Sequence, residues 1–257
     1  MKIVHDMGDG ILVVTPSDAY IRDNAAFSKT LEQAIEAAQT GKLVTIGITP
    51  TFPATGYGYI RFTKSDSAAK PVEQFVEKPP RERAEEYLAS GGYVWNSGMF
   101  VWRASVILQK IGALLPELYA GLESIAAAFG TPDEVRVLEE VYPTLPAISV
   151  DYGILEHSRD ILVVPGEFGW SDVGSWDMLD TLHPADENGN VAVGDTIGVD
   201  IANTVLYSSG RLVAAVGVED LVVVEMPDAV LVCKKSCAQD VKKIVEKLQA
   251  EGREELL

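Results

Sequence analysis

The stretch "GILVVTPSDAYIRDNAAFSKTLEQAIEAAQTGKLVTIGIT", Gly10 to Thr49, decides the fold class. "ILVV" is an apolar run closed by Pro-Ser-Asp, which predicts a buried strand whose C-terminal end delivers Asp18 to a loop. "NAAFSKTLEQAIEAAQTGK" then carries apolar residues at helical spacing and a Gly at its stop, which predicts a helix. "LVTIGIT" is a second apolar strand, so the segment is a β-α-β unit with an expected parallel pair and right-handed crossover.

Working outward, "TGYGYIRF" predicts a loop entering a strand, and "VEQFVEKP" alternates and stops at prolines. "RERAEEYLASGG" is a helix closed by Gly, and "YVWNSGMFVWRA" is a strand broken by Asn-Ser-Gly. "ASVILQKIGALLPELYAGLESIAAAF" predicts one long helix or two short ones, "ISVDYGILEHS" a strand passing into a helical turn, and "ILVVPGEFGWSDVGSW" a further strand with a loop at its end. After "HPADENGN" the composition changes to short β-rich runs with regularly spaced turns and almost no helix before "CAQDVKKIVEKLQAEGR". The expected organisation is a mixed α/β domain over 1–185, followed by a β-rich, solenoid-like domain with a closing helix over 186–257.

Composition excludes several function classes. Hydrophobic residues make up 47% and charged residues 23%, a balance that suits a folded chain. With 21 Lys+Arg against 38 Asp+Glu the formal charge is -17, a field that repels nucleic acid and anionic membrane surfaces. A phosphate-bearing ligand would need a divalent cation or a few placed basic residues. Cys233 and Cys237 are too few for a disulfide framework, which fits a reduced cytoplasm. The N-terminal residues lack the apolar segment of a signal peptide, and no run reaches the roughly 18 apolar residues of a membrane span. His5, His157 and His183 form no cluster, and nothing resembles a Ser-His-Asp triad.

The candidate chemistry lies at strand ends. Asp18 and Asp172 both follow an apolar strand, at the edge where open α/β sheets bind ligands, so they are candidates for one divalent cation; each also suits a helix cap or turn. Gly56, Tyr57 and Gly58 in "TGYGY" would let a ligand approach the main chain, or form a plain turn. Glu77 could accept hydrogen bonds from sugar hydroxyls and Lys78 could bind a phosphate; a strand would point them to opposite faces, and an exposed ion pair is the alternative. Asn96, between Trp95 and Ser97, both donates and accepts and suits vicinal hydroxyls, and Asp151 and Glu156 offer carboxylates in the same spirit.

In this order "LVVTPSDAYIRD", "TIGITPTFPATGYGYIRF", "VEQFVEKP", "YVWNSGMFVW", "ISVDYGILEHS", "GEFGWSDVGSWDML" and "LVAAVGVEDLVVVEMPDAVLVCKK" resemble the mannose-1-phosphate guanylyltransferase family of sugar-nucleotide pyrophosphorylases over nearly the whole chain. The resemblance implies a nucleotide-diphospho-sugar transferase domain with a GT-A-like (Rossmann-like) mixed sheet and a short left-handed β-helix after it. It implies Mg²⁺-dependent, in-line attack of mannose 1-phosphate on the α-phosphorus of GTP, giving GDP-mannose and pyrophosphate. By that resemblance Asp18 and Asp172 hold the metal and Lys78 meets the sugar phosphate. Gly58 with the neighbouring Gly56 and Tyr57, together with Glu77, Asn96 and Asp151, meets the mannose. Family members are commonly dimers, which implies a homodimer. Two features depart from the family: Ala19 stands where a histidine usually follows the aspartate, and no G-x-G-T-R phosphate loop occurs in these 257 residues. The expectation is therefore an N-terminally truncated catalytic domain with weak or no GTP turnover and an unpaired edge on the strand of Asp18. The alternative is a non-catalytic sugar-phosphate-binding or assembly module derived from the enzyme.

Overall fold

The computed structural model describes residues 1–173, 176 and 179–256, with the backbone alone at 180, 181, 239 and 254. By its internal contacts the chain divides into two units, Met1–Trp170 and Ser171–Leu257.

The first unit is built on a six-stranded mixed sheet. Its strands are β1 (Ile11–Val14), β3 (Leu43–Ile48), β4 (Tyr59–Phe62), β5 (Lys70–Val76), β6 (Tyr93–Arg103) and β7 (Ile161–Gly166); β2 (Tyr20–Ile21) is a separate short strand, and β8 (Trp170–Ser171) marks the boundary between the units. Helix α1 (Lys2–Met7) precedes β1, α2 (Asn24–Ala38) joins β2 to β3, and α3 (Arg81–Ser90) joins β5 to β6. Helices α4 (Ala104–Leu114), α5 (Pro116–Ala126) and α6 (Glu134–Val141) follow β6.

Strand β3 is buried at all six residues, because it lies between β7, which runs parallel to it, and β6, which runs antiparallel. Helix α2 starts where Asp23 accepts a hydrogen bond from the Ala26 amide at 2.9 Å, and it lays Thr30, Ala34, Ala37 and Ala38 toward the sheet. Small residues on that stripe let helix and sheet approach closely. The core on the α2 face centres on Val44, Ile46, Tyr59, Trp95, Val101, Val164 and Phe168. The core on the opposite face holds Leu43, Ile60, Phe75, Phe100, Trp102, Ile107, Ile154 and Leu155.

Three expectations are corrected here. The run "ILVV" is not a buried strand beside "LVTIGIT": β1 pairs antiparallel with β6 alone, so β1 and β3 run the same way with β6 between them. Among the described residues one side of β1 is therefore an unpaired edge, and Val13 and Val14 remain 41% and 42% exposed. "YVWNSGMFVWR" is one continuous strand, not two. One flank of β6 meets β3, while the other meets β4 through Tyr93 to Trp95 and β1 through Phe100 to Arg103. The Asn-Ser-Gly segment bulges where β4 gives way to β1, and Gly98 takes a φ of 72°, a left-handed conformation that glycine tolerates. Finally, "ISVDYGILEHS" contains no strand; Asp151–Leu155 is a single π-helical turn, buried at Gly153, Ile154 and Leu155. The long apolar stretch after β6 resolves into two helices, the second opening on Pro116 at a position where a missing N–H costs nothing.

In the second unit, α7 (Leu179–Leu182) precedes β9 (Val191–Val193), β10 (Thr196–Val199), β11 (Val205–Ser208), β12 (Val213–Val216), β13 (Leu221–Glu225) and β14 (Val230–Lys234). Strand β11 pairs parallel with β9 and β13, and β10 pairs parallel with β12, so successive coils stack as in a β-helix, with Val191, Val205, Val222 and Val224 inside. Strand β14 closes the stack antiparallel to β13, and α8 (Val241–Ala250) follows.

Candidate functional site

The bulge in β6 is where the candidate side chains meet. Asn96 is 8% exposed, and its amide N–H donates to Gly58 O at 2.8 Å, which ties the bulge to the residue that enters β4. Its Oδ1 accepts from Thr45 Oγ1 at 3.0 Å and from the Gly98 amide at 3.3 Å. Its Nδ2 donates to Asp151 Oδ1 at 2.9 Å, across to the helical turn that packs on this face of the sheet. The second Nδ2 proton meets no acceptor among the described residues.

Beside this network lies Glu77, just past the end of β5, with its side chain only 8% exposed. The Glu77 amide donates to Glu156 Oε1 at 2.9 Å. Its Oε1 is 3.4 Å from Lys78 Nζ, while its Oε2 is buried with no hydrogen-bond partner among the described residues. Glu77 and Lys78 thus do not point to opposite faces as a strand would place them. They sit beyond the strand, and Lys78 takes a φ of 46°, which turns its backbone so that the ammonium folds back toward the carboxylate. A Cβ on Gly58 would collide with Glu77 Oε2 and lie 3.2 Å from Asn96 Cβ, so a larger residue there would push the Glu77 carboxylate out of its place.

Electrostatics mark the same place. Burial raises the Glu77 carboxyl above its ordinary range, the charge of Asp151 adds to this, and Lys78 opposes it. Burial likewise raises Asp151, against a backbone hydrogen bond and the Asn96 amide. A buried and a half-buried carboxyl held up by desolvation, the first with an unpartnered oxygen, form a costly arrangement that a polyhydroxyl ligand would relieve by donating hydrogen bonds.

The Tyr57 ring packs edge-on against Trp95 and Trp170, with centroids at 5.1 and 5.4 Å, and Phe52 packs on Trp95 at 4.8 Å. The Trp170 indole nitrogen is buried without a hydrogen-bond partner among the described residues. Trp95 belongs to the α2 face, so this aromatic wall stiffens the Gly56–Gly58 loop from the opposite side of the sheet to the Asn96 side chain.

The structure therefore brings together Gly58, Glu77, Lys78, Asn96 and Asp151. Tyr57 belongs to the aromatic wall and Gly56 is exposed. Asp18 is an exposed carboxylate at a bend after β1. Asp172 is half-buried in the second unit, beside Ser171, whose Oγ accepts from the Val173 amide at 3.1 Å. The following Gly174 and Ser175 lie outside the described residues. Among the described residues no three His, Cys, Asp or Glu side chains converge as a metal cage. A magnesium ion takes protein carboxylates and leaves its other positions to water and phosphate, and each aspartate is a carboxylate of that kind. Sequence reasoning missed Thr45, Trp95 and Trp170. The signal for Thr45 was present, since it is the one hydroxyl inside the apolar run Leu43–Ile48.

A nucleotidyl transferase family model matches residues 1–189, and a mannose-phosphate isomerase/GMP-like β-helix domain model matches residues 194–248. The chain is 44% identical over 255 residues to a mannose-1-phosphate guanylyltransferase of Salmonella montevideo, covering 96% of this chain and 54% of the relative. It is 44% identical over 256 residues to the xanthan biosynthesis protein XanB of Xanthomonas campestris pv. campestris (strain B100), covering 99% and 54%. A crystal structure described as a mannose-1-phosphate geranyltransferase from Thermus thermophilus superposes with a TM-score of 0.85 at 37% identity, covering 96% of this chain and 72% of that one. The chain spans about half the length of the curated relatives it matches.

Proposed function

Because this chain belongs to the nucleotidyl transferase family, we propose that it serves the mannose-1-phosphate guanylyltransferase reaction and that the Gly58–Glu77–Asn96–Asp151 cluster binds the mannose 1-phosphate. The observation that carries this reading is the buried, unpartnered Glu77 Oε2 beside the Asn96 amide. Together they offer an acceptor and a donor to adjacent sugar hydroxyls, with Glu77 Oε2 lying directly against the bare backbone of Gly58.

In this reaction a phosphate oxygen of mannose 1-phosphate attacks the α-phosphorus of GTP. The bond from that phosphorus to the oxygen bridging the β-phosphate breaks, and pyrophosphate leaves with the electron pair. No covalent enzyme intermediate forms, so the chain's work is to orient the sugar phosphate and to offset charge. Glu77, Asn96 and Asp151 fix the sugar ring. Lys78 Nζ, its side chain 55% exposed at the mouth of the cluster, is the cation for the sugar phosphate. Magnesium belongs to the same proposal, with Asp18 and Asp172 as its protein carboxylates; when bound it neutralises phosphate charge. GTP as the nucleotide, assembly as a homodimer and a cytoplasmic location complete the reading.

Calorimetric titration with mannose 1-phosphate and a pyrophosphate-release assay with GTP test it together. Saturable binding is the expected result, with magnesium-dependent pyrophosphate release that is weak because no G-x-G-T-R phosphate loop occurs in these 257 residues. Binding without release supports the non-catalytic sugar-phosphate module instead, and absence of both removes the reading.

A further inference from the structure

Thr45 lies at the centre of β3, fully buried, on the same face of the sheet as Asn96. A threonine hydroxyl in the middle of an apolar strand needs a partner, and its partner here is the site itself. Asp151, an acceptor when ionised, requires that the N–H edge of the Asn96 amide face it, and the Gly98 N–H requires that the oxygen edge face the other way. The Thr45 hydroxyl therefore donates to Asn96 Oδ1, at 3.0 Å, and shares its proton with Met99 O at 3.3 Å. The Gly98 contact is long, so Thr45 supplies the shorter of the two bonds on the oxygen edge of that amide.

We infer that Thr45 is a positioning residue: its hydroxyl locks the Asn96 side chain with one N–H on Asp151 and the other turned outward to the sugar hydroxyls. The inference rests on the sugar-phosphate reading of the cluster for its effect on ligand, and on the hydrogen-bond geometry alone for its effect on Asn96. Without the hydroxyl, the amide keeps only the long Gly98 bond on its oxygen edge and rotates more freely about its terminal torsion, which is soft in asparagine. Valine matches threonine in shape and lacks the hydroxyl, whereas serine keeps the hydroxyl and lacks the methyl.

The test compares wild type, Thr45→Val and Thr45→Ser by two measurements. Titration with mannose 1-phosphate should give about five- to tenfold weaker binding for Thr45→Val, the size of one lost hydrogen bond, and near-wild-type affinity for Thr45→Ser. Carbon-detected NMR of the carboxyls should show Asp151 titrating at higher pH in Thr45→Val than in wild type, since a loosened Asn96 amide stabilises the carboxylate less; Thr45→Ser should leave it in place. Lys78 and Glu156 also act on Asp151, and neither touches Thr45. Equal affinity and equal titration in wild type and Thr45→Val would overturn the inference, as would a Thr45→Ser variant as impaired as Thr45→Val. If Thr45→Val does not fold, a Thr45→Ser variant that weakens ligand and moves Asp151 overturns the inference, and one that preserves both upholds it. If wild type binds no mannose 1-phosphate, the sugar reading fails while the Asp151 titration still decides the role of Thr45.

Discussion

Asn96 Nδ2 lies 2.9 Å from Asp151 Oδ1, joining a bulge in β6 to a helical turn 55 residues later. The bond satisfies a carboxylate that burial would otherwise leave short of donors. Replacing Asn96 with Leu strands that carboxylate and should cost about 1–3 kcal/mol in urea unfolding. Adding Asp151→Asn to Asn96→Leu should recover part of the loss, because the charge left unpaired is then gone. A double-mutant cycle with no coupling between the positions would show that the bond contributes nothing.

Gly58→Ala should separate ligand binding from folding. The added Cβ meets Glu77 Oε2, the end of a side chain that can swing, together with a tighter contact to Asn96 Cβ. Displacing Glu77 should weaken mannose 1-phosphate about tenfold or more, the loss of one well-placed polar contact, while thermal unfolding moves little. Equal affinity for wild type and Gly58→Ala would show that the sugar does not depend on Glu77 lying against Gly58.

The pH dependence of stability carries a sign set by Glu77 and Asp151. Both carboxyls titrate above their ordinary range, chiefly through burial, so the folded chain holds those protons at pH values where the unfolded chain has released them. Their contribution is fully present below the ordinary carboxylate range and is lost as pH rises through the raised folded values. Glu77→Gln should flatten that decline in denaturant titrations across mildly acidic pH. A slope unchanged in Glu77→Gln would remove Glu77 as its source.

Glu225 behaves in the opposite sense. It is buried at the end of β13, and its Oε2 accepts from the Ser209, Gly210 and Arg211 amides and from Ser209 Oγ, pinning the turn after β11. Burial alone would raise this carboxyl, but the amide donors outweigh it and hold it below the ordinary range. Its contribution is therefore present above the ordinary carboxylate value and is lost as pH falls through the lowered one. Glu225→Gln should melt below wild type at neutral pH, and the gap should close in acid. A gap that is constant with pH would contradict this assignment.

Much of the architecture could be read from periodicity and punctuation. Helix α2 shows its 3.6-residue stripe and its glycine stop, and the repeated short valine-rich runs after residue 190 announce stacked coils. Strand neighbours were harder, because β1 and β3 carry similar apolar runs and nothing local says that β6 comes between them. The Asn-Ser-Gly signal in β6 is chemically a breaker, yet pairing on both flanks keeps the strand whole and turns the punctuation into a bulge. At the site, residue types suited to hydroxyl recognition pointed to Glu77, Asn96 and Asp151, while their convergence depends on long-range packing. Thr45 stands out in sequence as a lone hydroxyl in an apolar run, but its partner Asn96 lies 51 residues away and only long-range packing brings the two together.

The central claim is that the unpartnered Glu77 Oε2 and the Asn96 amide beside Gly58 hold the sugar, and a crystal structure of the chain with mannose 1-phosphate tests it most directly. The account predicts sugar hydroxyls within about 3 Å of Glu77 Oε2 and Asn96 Nδ2, normal hydrogen-bond distances, with the phosphate toward Lys78. A sugar ring seated elsewhere, with Glu77 Oε2 still unpartnered, would contradict it.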